Sequence, residues 1–164
     1  GMYLGEIARL IIVEMIKKGF LFSTEMLPSF SKAHTLTTEQ LSALINGQDI
    51  FQDFGLTHNI SADDKKTILE ICRIVTTRSA RIASTAIAAV ITWMDPSLES
   101  NHTVAVDGSL FEKYPGFKDD MVKMLFDIFD DRAKQISLES SKGGSGIGAA
   151  IVAAVASLGR HKKS

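Results

Sequence analysis

Apolar positions recur at helical spacing from the first residues of the chain. Leu4, Ile7, Ala8, Ile11 and Met15 form one face, and Ile12 and Val13 widen it. Lys17 and Lys18 suit a last turn and Gly19 a stop, so the pattern predicts a helix here. After a loop with Pro28, "TTEQLSALING" predicts a short capped helix. Thr37 and Gln40 hold capping-box positions, and Gly47 is the stop. Ser61 and Asp64 open the next helix similarly, and its pattern continues to the break at Asp95-Pro96. At ~1.5 Å per residue, Ala62 to Met94 makes roughly 50 Å of helix. A compact globule of this length has a radius of gyration of only about 15 Å. Such a helix is kinked, or it is shaped to pack against more protein. Its small residues Ala80, Ala83, Ser84, Ala86, Ala88 and Ala89 predict close helix packing.

Two strands are predicted, "TVAV" at 103–106 and "QISLES" near 135–140. Between them Phe117, Met121, Met124, Leu125 and Ile128 mark a helix. After them "GGSGIGAAIVAAVASLG" is a glycine loop leading into a helix stopped by Gly159. The order strand–helix–strand–helix points to an α/β sheet. A stable sheet normally needs at least three strands, so further strands are expected from sequence outside the chain. Residues 1–164 are therefore expected to be one partial domain, with a basic tail at 159–164.

Composition narrows the function classes. Hydrophobic residues make up 45% and charged residues 23%, which is the globular range. The formal net charge is -1 with the signs interspersed, so no nucleic-acid partner is expected. Arg73, Arg78 and Arg81 are placed at mixed angles on the long helix, as solvated or salt-bridged surface and not as a phosphate patch. The single cysteine, Cys72, permits no internal disulfide and is expected to pack as a small hydrophobe. His34, His58, His102 and His161 lack ligand spacing, and no metal site is expected. The longest charge-free apolar run, Ile82 to Met94, has 13 residues. A spanning helix needs roughly 20, so no membrane span is expected. The triplets at Asn59 and Asn101 follow no signal peptide, and the chain is placed in the cytoplasm.

Two glycine motifs carry the candidate chemistry. "VAVDGSLFEKYPGF" leaves a strand at Asp107-Gly108. That dipeptide fits a type I′ hairpin and also a turn that holds a phosphate or nucleotide, and by itself it leaves both open. "GSGIGA", Gly144 to Ala149, fits the dinucleotide fingerprint. The fingerprint needs a following strand with an acidic residue about 20 positions on, and too little chain remains. Without a following Gly-Lys-Ser/Thr it is not a P-loop either. Two roles remain: close packing at the helix start, or helix N–H groups facing an anion.

Four segments in order carry a resemblance: "GMYLGEIARLIIVEMIKKG", "SADDKKTILEICRIVTTRSARIASTAIAA", "AVDGSLFEKYPGF" and "GGSGIGAAIVAAVA". From Gly1 to about Leu158 the chain resembles the C-terminal part of the large domain of eukaryotic hexokinases. The resemblance implies an α/β, actin-like ATPase (ribonuclease-H-like) fold, present as a helix-rich fragment with only a few strands. It implies phosphorylation of glucose or another hexose on the 6-hydroxyl, with Mg-ATP as co-substrate. Asp107, Gly108 and Ser109 then match the family's adenosine motif rather than a hairpin, and Leu110, Phe111, Glu112 and Lys113 continue that segment. Gly1 and Met2 match the start of a stretch that lines the nucleotide pocket. Lys32, in "FSKAHTL", is carried over from a nucleotide-contacting loop. No catalytic residue is assigned in this chain. The family's catalytic Asp, phosphate-binding loop and hexose-binding residues are expected upstream of Gly1. Lys142 and Ile147 depart from the family's final glycine loop. The intact enzyme would take ATP and hexose, while the fragment alone is expected to be inactive, and either to be less stable than its size suggests or to self-associate. The alternative is a non-catalytic module that senses sugar or nucleotide.

Overall fold

The computed structural model describes residues 1–54, 60–141 and 143–160. His58, Asn59, Lys142 and the tail at 161–164, all named above, lie outside the described residues.

Helix α1 (Leu4–Lys17) buries Leu4, Ala8, Ile12 and Ile16, one row at i, i+4 spacing. That row is rotated from the predicted face. Ile7 and Ile11 remain partly exposed because α4 lies against the Ala8–Ile12 side. A short α2 (Leu27–Ser31) has Pro28 in its first turn, where a missing N–H costs no helical bond. Helix α3 (Thr38–Ile45) starts at the predicted capping box. Thr37 Oγ1 accepts the Gln40 N–H at 3.2 Å, and Gln40 Oε1 accepts the Thr37 N–H at 2.9 Å.

Helix α4 (Ala62–Met94) is one uninterrupted helix of 33 residues. Ile68, Ile71, Cys72, Val75, Thr76, Ala80, Ser84, Ala88 and Ile91 are buried, in rows at three- and four-residue steps. The small residues among them let α6 (Phe117–Phe129) approach, and the Ser84 hydroxyl donates to the Met121 carbonyl at 2.9 Å. Thr77 donates to the Asp120 carboxylate on the same seam at 2.6 Å. Burial pushes the Cys72 thiol up to about 12, as befits a packed hydrophobe. Along the opposite face Ile74, Ile82, Val90 and Trp93 are exposed. Ala86 and Ala89, expected in the close packing, are exposed as well because α6 reaches only the Ala80–Ser84–Ala88 row. By length and composition α4 could cross a bilayer, but it packs on α1, α3 and α6, and 33% of its most apolar window is buried.

Strand β1 (His102–Val106) pairs in parallel with β2 (Ile136–Ser140), in register from His102 opposite Ile136 to Val106 opposite Ser140. A hairpin at Asp107-Gly108 would have forced antiparallel pairing, so that turn is not a hairpin. The crossover runs instead through α5 (Ser109–Lys113) and α6, and these are the two strands among the described residues. Helix α7 (Gly144–Arg160) begins inside the glycine run and passes through Gly159, which was expected to stop it. The core is continuous from α1 through α4 to α6, with Phe111, Tyr114 and Leu138 joining it from the strand side.

Candidate functional site

Both glycine turns leave the carboxyl ends of adjacent parallel strands, the usual place for a ligand crevice in an open α/β sheet. The Ser141 N–H donates to the Val106 carbonyl at 2.9 Å, which ties the second turn to the first. A Cβ placed on Gly144 would stand 3.6 Å from Asp107 Oδ2. The two motifs, 37 positions apart by number from Asp107 to Gly144, thus meet at one edge.

A cleft of about 1040 Å³ opens beside the first turn. That volume lies at the upper end of the roughly 300–1,000 Å³ usual for small-molecule sites. One wall comes from Val106 to Phe111, with Lys113, Tyr114 and Phe117. The facing wall comes from His34 and Leu36 and from the start of α3, with Thr37, Thr38, Glu39 and Ser42. Gly1, Met2 and Tyr3 close one end. Gly1 links the walls directly. Its carbonyl accepts the Thr38 hydroxyl at 2.5 Å, and a Cβ on it would lie 2.8 Å from Leu110 Cγ.

Gly108 is the N-cap of α5, with φ 158° and ψ 139°, and its carbonyl accepts the Glu112 N–H at 3.3 Å. A Cβ there would meet nothing within 4 Å, so the wall is open where the backbone is barest. Behind the wall, Tyr114 is buried and its hydroxyl lies 2.9 Å from Thr76 Oγ1. Thr76 in turn donates to the Cys72 carbonyl at 2.7 Å, which fixes the α5–α6 corner to α4.

Eight of the ten residues expected at a nucleotide site line this cleft: Gly1, Met2, Asp107, Gly108, Ser109, Leu110, Phe111 and Lys113. Two lie elsewhere. Glu112 faces β2 and accepts the Ser140 hydroxyl at 2.6 Å, while Lys32 is exposed at the end of α2. Thr38, Glu39 and Ser42 were not foreseen at the cleft. The capping box at Thr37 marks where α3 starts, but a local motif says nothing of which wall the helix will face.

The charges on the lining are Asp107 and Glu39 against Lys113, a slight excess of negative charge. A second, shallower depression of about 570 Å³ runs along α4 and is lined by Glu70, Arg73, Arg78 and Arg81 with Ile74 and Ile82. The three arginines therefore share one broad face, not the mixed angles expected. Arg81 pairs with Asp127 at 3.6 Å, which fits the salt-bridged surface role.

The sequence profile described as hexokinase matches residues 1–155. The chain belongs to the hexokinase family. It is 33% identical to hexokinase-1 of Saccharomyces cerevisiae over 168 residues, covering 94% of this chain and 34% of the yeast protein. It is 34% identical to human hexokinase-1, covering 95% of this chain and 18% of the human protein. A solved hexokinase from Schistosoma mansoni, complexed with glucose, superposes with a TM-score of 0.80 at 29% identity. That match covers 94% of this chain and 36% of the other. The helix-rich arrangement with two parallel strands is thus part of the actin-like hexokinase fold. The chain spans about a third of the length of its yeast relative.

Proposed function

We propose that the protein containing this chain phosphorylates glucose or a related hexose on its 6-hydroxyl with Mg-ATP, and that this chain supplies the adenosine wall of the nucleotide site. The observation that carries the proposal is the cleft itself. It brings Gly1 and Met2 together with the Asp107–Ser109 turn at the carboxyl end of a parallel strand. The Schistosoma relative was solved with glucose, which supports the choice of sugar.

The charge balance supports adenosine rather than triphosphate on this wall. Two carboxylates and one ammonium suit a neutral base and ribose, whose hydroxyls hydrogen-bond to carboxylate and hydroxyl groups such as Asp107 and Ser109. The bare backbone at Gly108 lets the flat ligand approach closely, and Leu110 and Phe111 offer it apolar surface. Phosphoryl transfer depends on positioning and on cations around the phosphates. Magnesium arrives with the triphosphate and is ordinarily held by one or two carboxylates plus phosphate oxygens. Among the described residues no cluster of three or more His, Cys, Asp or Glu side chains could hold a metal ion. We assign phosphate neutralisation and the proton-accepting base to the rest of the enzyme, where the resemblance to hexokinases puts the phosphate-binding loop and the catalytic Asp. In this reading the chain holds the adenosine, and the rest of the enzyme holds the triphosphate and the hexose.

A cytoplasmic location belongs to the same proposal. One relative bears the name chloroplastic hexokinase-2, from Nicotiana tabacum, so compartments differ within the family. The test is a coupled assay on the full-length protein. ATP- and glucose-dependent formation of glucose 6-phosphate, with ATP affinity weakened by Ser109→Val, supports the proposal. Binding of sugar or nucleotide without turnover would replace it with a sensing module.

A further inference from the structure

The wall facing Asp107–Ser109 is a loop, and its position is set from α1. Arg9 is 5% exposed and grips Glu6 with two parallel bonds, Nε to Oε2 at 2.7 Å and Nη2 to Oε1 at 2.6 Å. Its remaining nitrogen, Nη1, donates to the Phe30 carbonyl at 2.5 Å. Glu6 Oε2 also accepts the backbone N–H of His34 at 2.7 Å. His34 has φ 61°, a left-handed conformation uncommon for a residue with a side chain, so its N–H is aimed by a constraint outside the loop. One residue before Glu6, α1 touches the same loop directly. A Cβ on Gly5 would fall 2.1 Å from the Leu36 carbonyl oxygen and 2.6 Å from the Thr37 carbonyl carbon.

Three neighbouring residues of α1 therefore hold the loop at its start, middle and end. His34 and Leu36 lie on that loop and also line the cleft. We propose that Glu6 and Arg9 are positioning residues for the nucleotide, holding the loop from Phe30 to Leu36 at the cleft width that lets His34 and Leu36 close on a ligand seated against Asp107–Ser109. The proposal rests on the nucleotide reading of the cleft. Neither side chain lines the cleft, so each acts through the loop and neither is a catalytic residue. Arginine is required because only its planar fork can hold the carboxylate and the Phe30 carbonyl at once. The carboxylate stays ionised far into acid, since the Arg9 hydrogen bond, with help from the His34 N–H, holds it down to about 2 against burial.

The test uses the full-length enzyme and compares KM for ATP with KM for glucose. Glu6→Ala should raise the ATP KM roughly tenfold, equivalent to ~1.4 kcal/mol, and leave the glucose KM unchanged. Glu6→Gln keeps an oxygen for the His34 N–H and should recover most of the lost ATP affinity. Glu6→Ala strands a buried guanidinium, so Glu6→Met/Arg9→Met serves as the second variant. It removes both charges together, a change buried ion pairs often tolerate. This double variant should melt near wild type with a raised ATP KM. A folded double variant with wild-type ATP KM overturns the proposal, as does an equal rise in both KM values. Gly108→Val separates the two levels. If it raises the ATP KM while the Glu6 and Arg9 variants do not, only the positioning role fails. If it also leaves the ATP KM unchanged, the nucleotide reading of the cleft fails with it.

Discussion

Gly108→Val and Gly108→Ala together ask what the bare backbone in the Asp107–Ser109 turn is for. At φ 158° and ψ 139° the backbone lies at the edge of a region open essentially to glycine. Residues with a side chain there cost on the order of 1–3 kcal/mol. A Cβ at this point meets nothing within 4 Å, so packing adds little and the two variants should lose similar stability. Their effects on ATP should differ. Valine adds three carbons, a Cβ bearing two methyl groups, at the cleft wall where the nucleotide is placed, whereas alanine adds one. At ~1.4 kcal/mol per tenfold, losing a few contacts predicts a ten- to hundredfold rise in ATP KM for valine, with a smaller rise for alanine. Glucose KM should be unchanged in both. The assay is glucose 6-phosphate formation coupled to NADP reduction in the full-length protein, paired with melting curves. If valine lowers Tm by several degrees while ATP KM stays at wild type, the turn is only structural and the reasoning is refuted.

Purified 1–164 should show no ATP- and glucose-dependent turnover, since it spans about a third of its yeast relative, and measurable glucose 6-phosphate would contradict this. The same fragment should self-associate through the open face of α4, where Trp93 is 84% exposed beside Val90. Light scattering should give a mass that rises with concentration and falls on Trp93→Glu; a strict monomer would count against it. Acid stability should report on Glu6, whose carboxyl is depressed from 4.5 to about 2 by its bond to Arg9. A depressed folded-state pKa contributes stability that is present above the unfolded value and lost as pH falls from about 4.5 to about 2. Urea midpoints should therefore drop more steeply across that window in wild type than in Glu6→Gln, and parallel curves would show the carboxylate contributes nothing.

Local signals in the sequence located most elements, because each depends on a few neighbouring residues. The capping box at Thr37 and the Ser61–Asp64 pair fixed helix starts that the hydrogen bonds reproduce. The small residues Ala80, Ser84 and Ala88 marked the stretch of α4 against which α6 packs. What failed to show was anything set by a contact distant in sequence. The buried side of α1 is rotated because α4 and the loop at Leu36 choose it. Asp-Gly could not be told from a hairpin until parallel pairing with a strand 30 residues later excluded one. Of the ten residues that the family resemblance named for the nucleotide, eight line the cleft. In the fold Glu112 bonds to β2, and Lys32 projects from the end of α2. Thr38, Glu39 and Ser42 carry no motif of their own and line the cleft through contacts distant in sequence, the Thr38 hydroxyl on the Gly1 carbonyl and the packing of α3 on α1 and α4.

The adenosine wall is tested most directly by light-activated labelling of the full-length enzyme with an azido-adenine analogue of ATP, followed by peptide mapping. The account predicts adducts on 107–114 and on 1–3, both suppressed by excess ATP and neither suppressed by glucose alone. Saturable, ATP-protected labelling confined to peptides outside this chain, with none on 107–114, would contradict it.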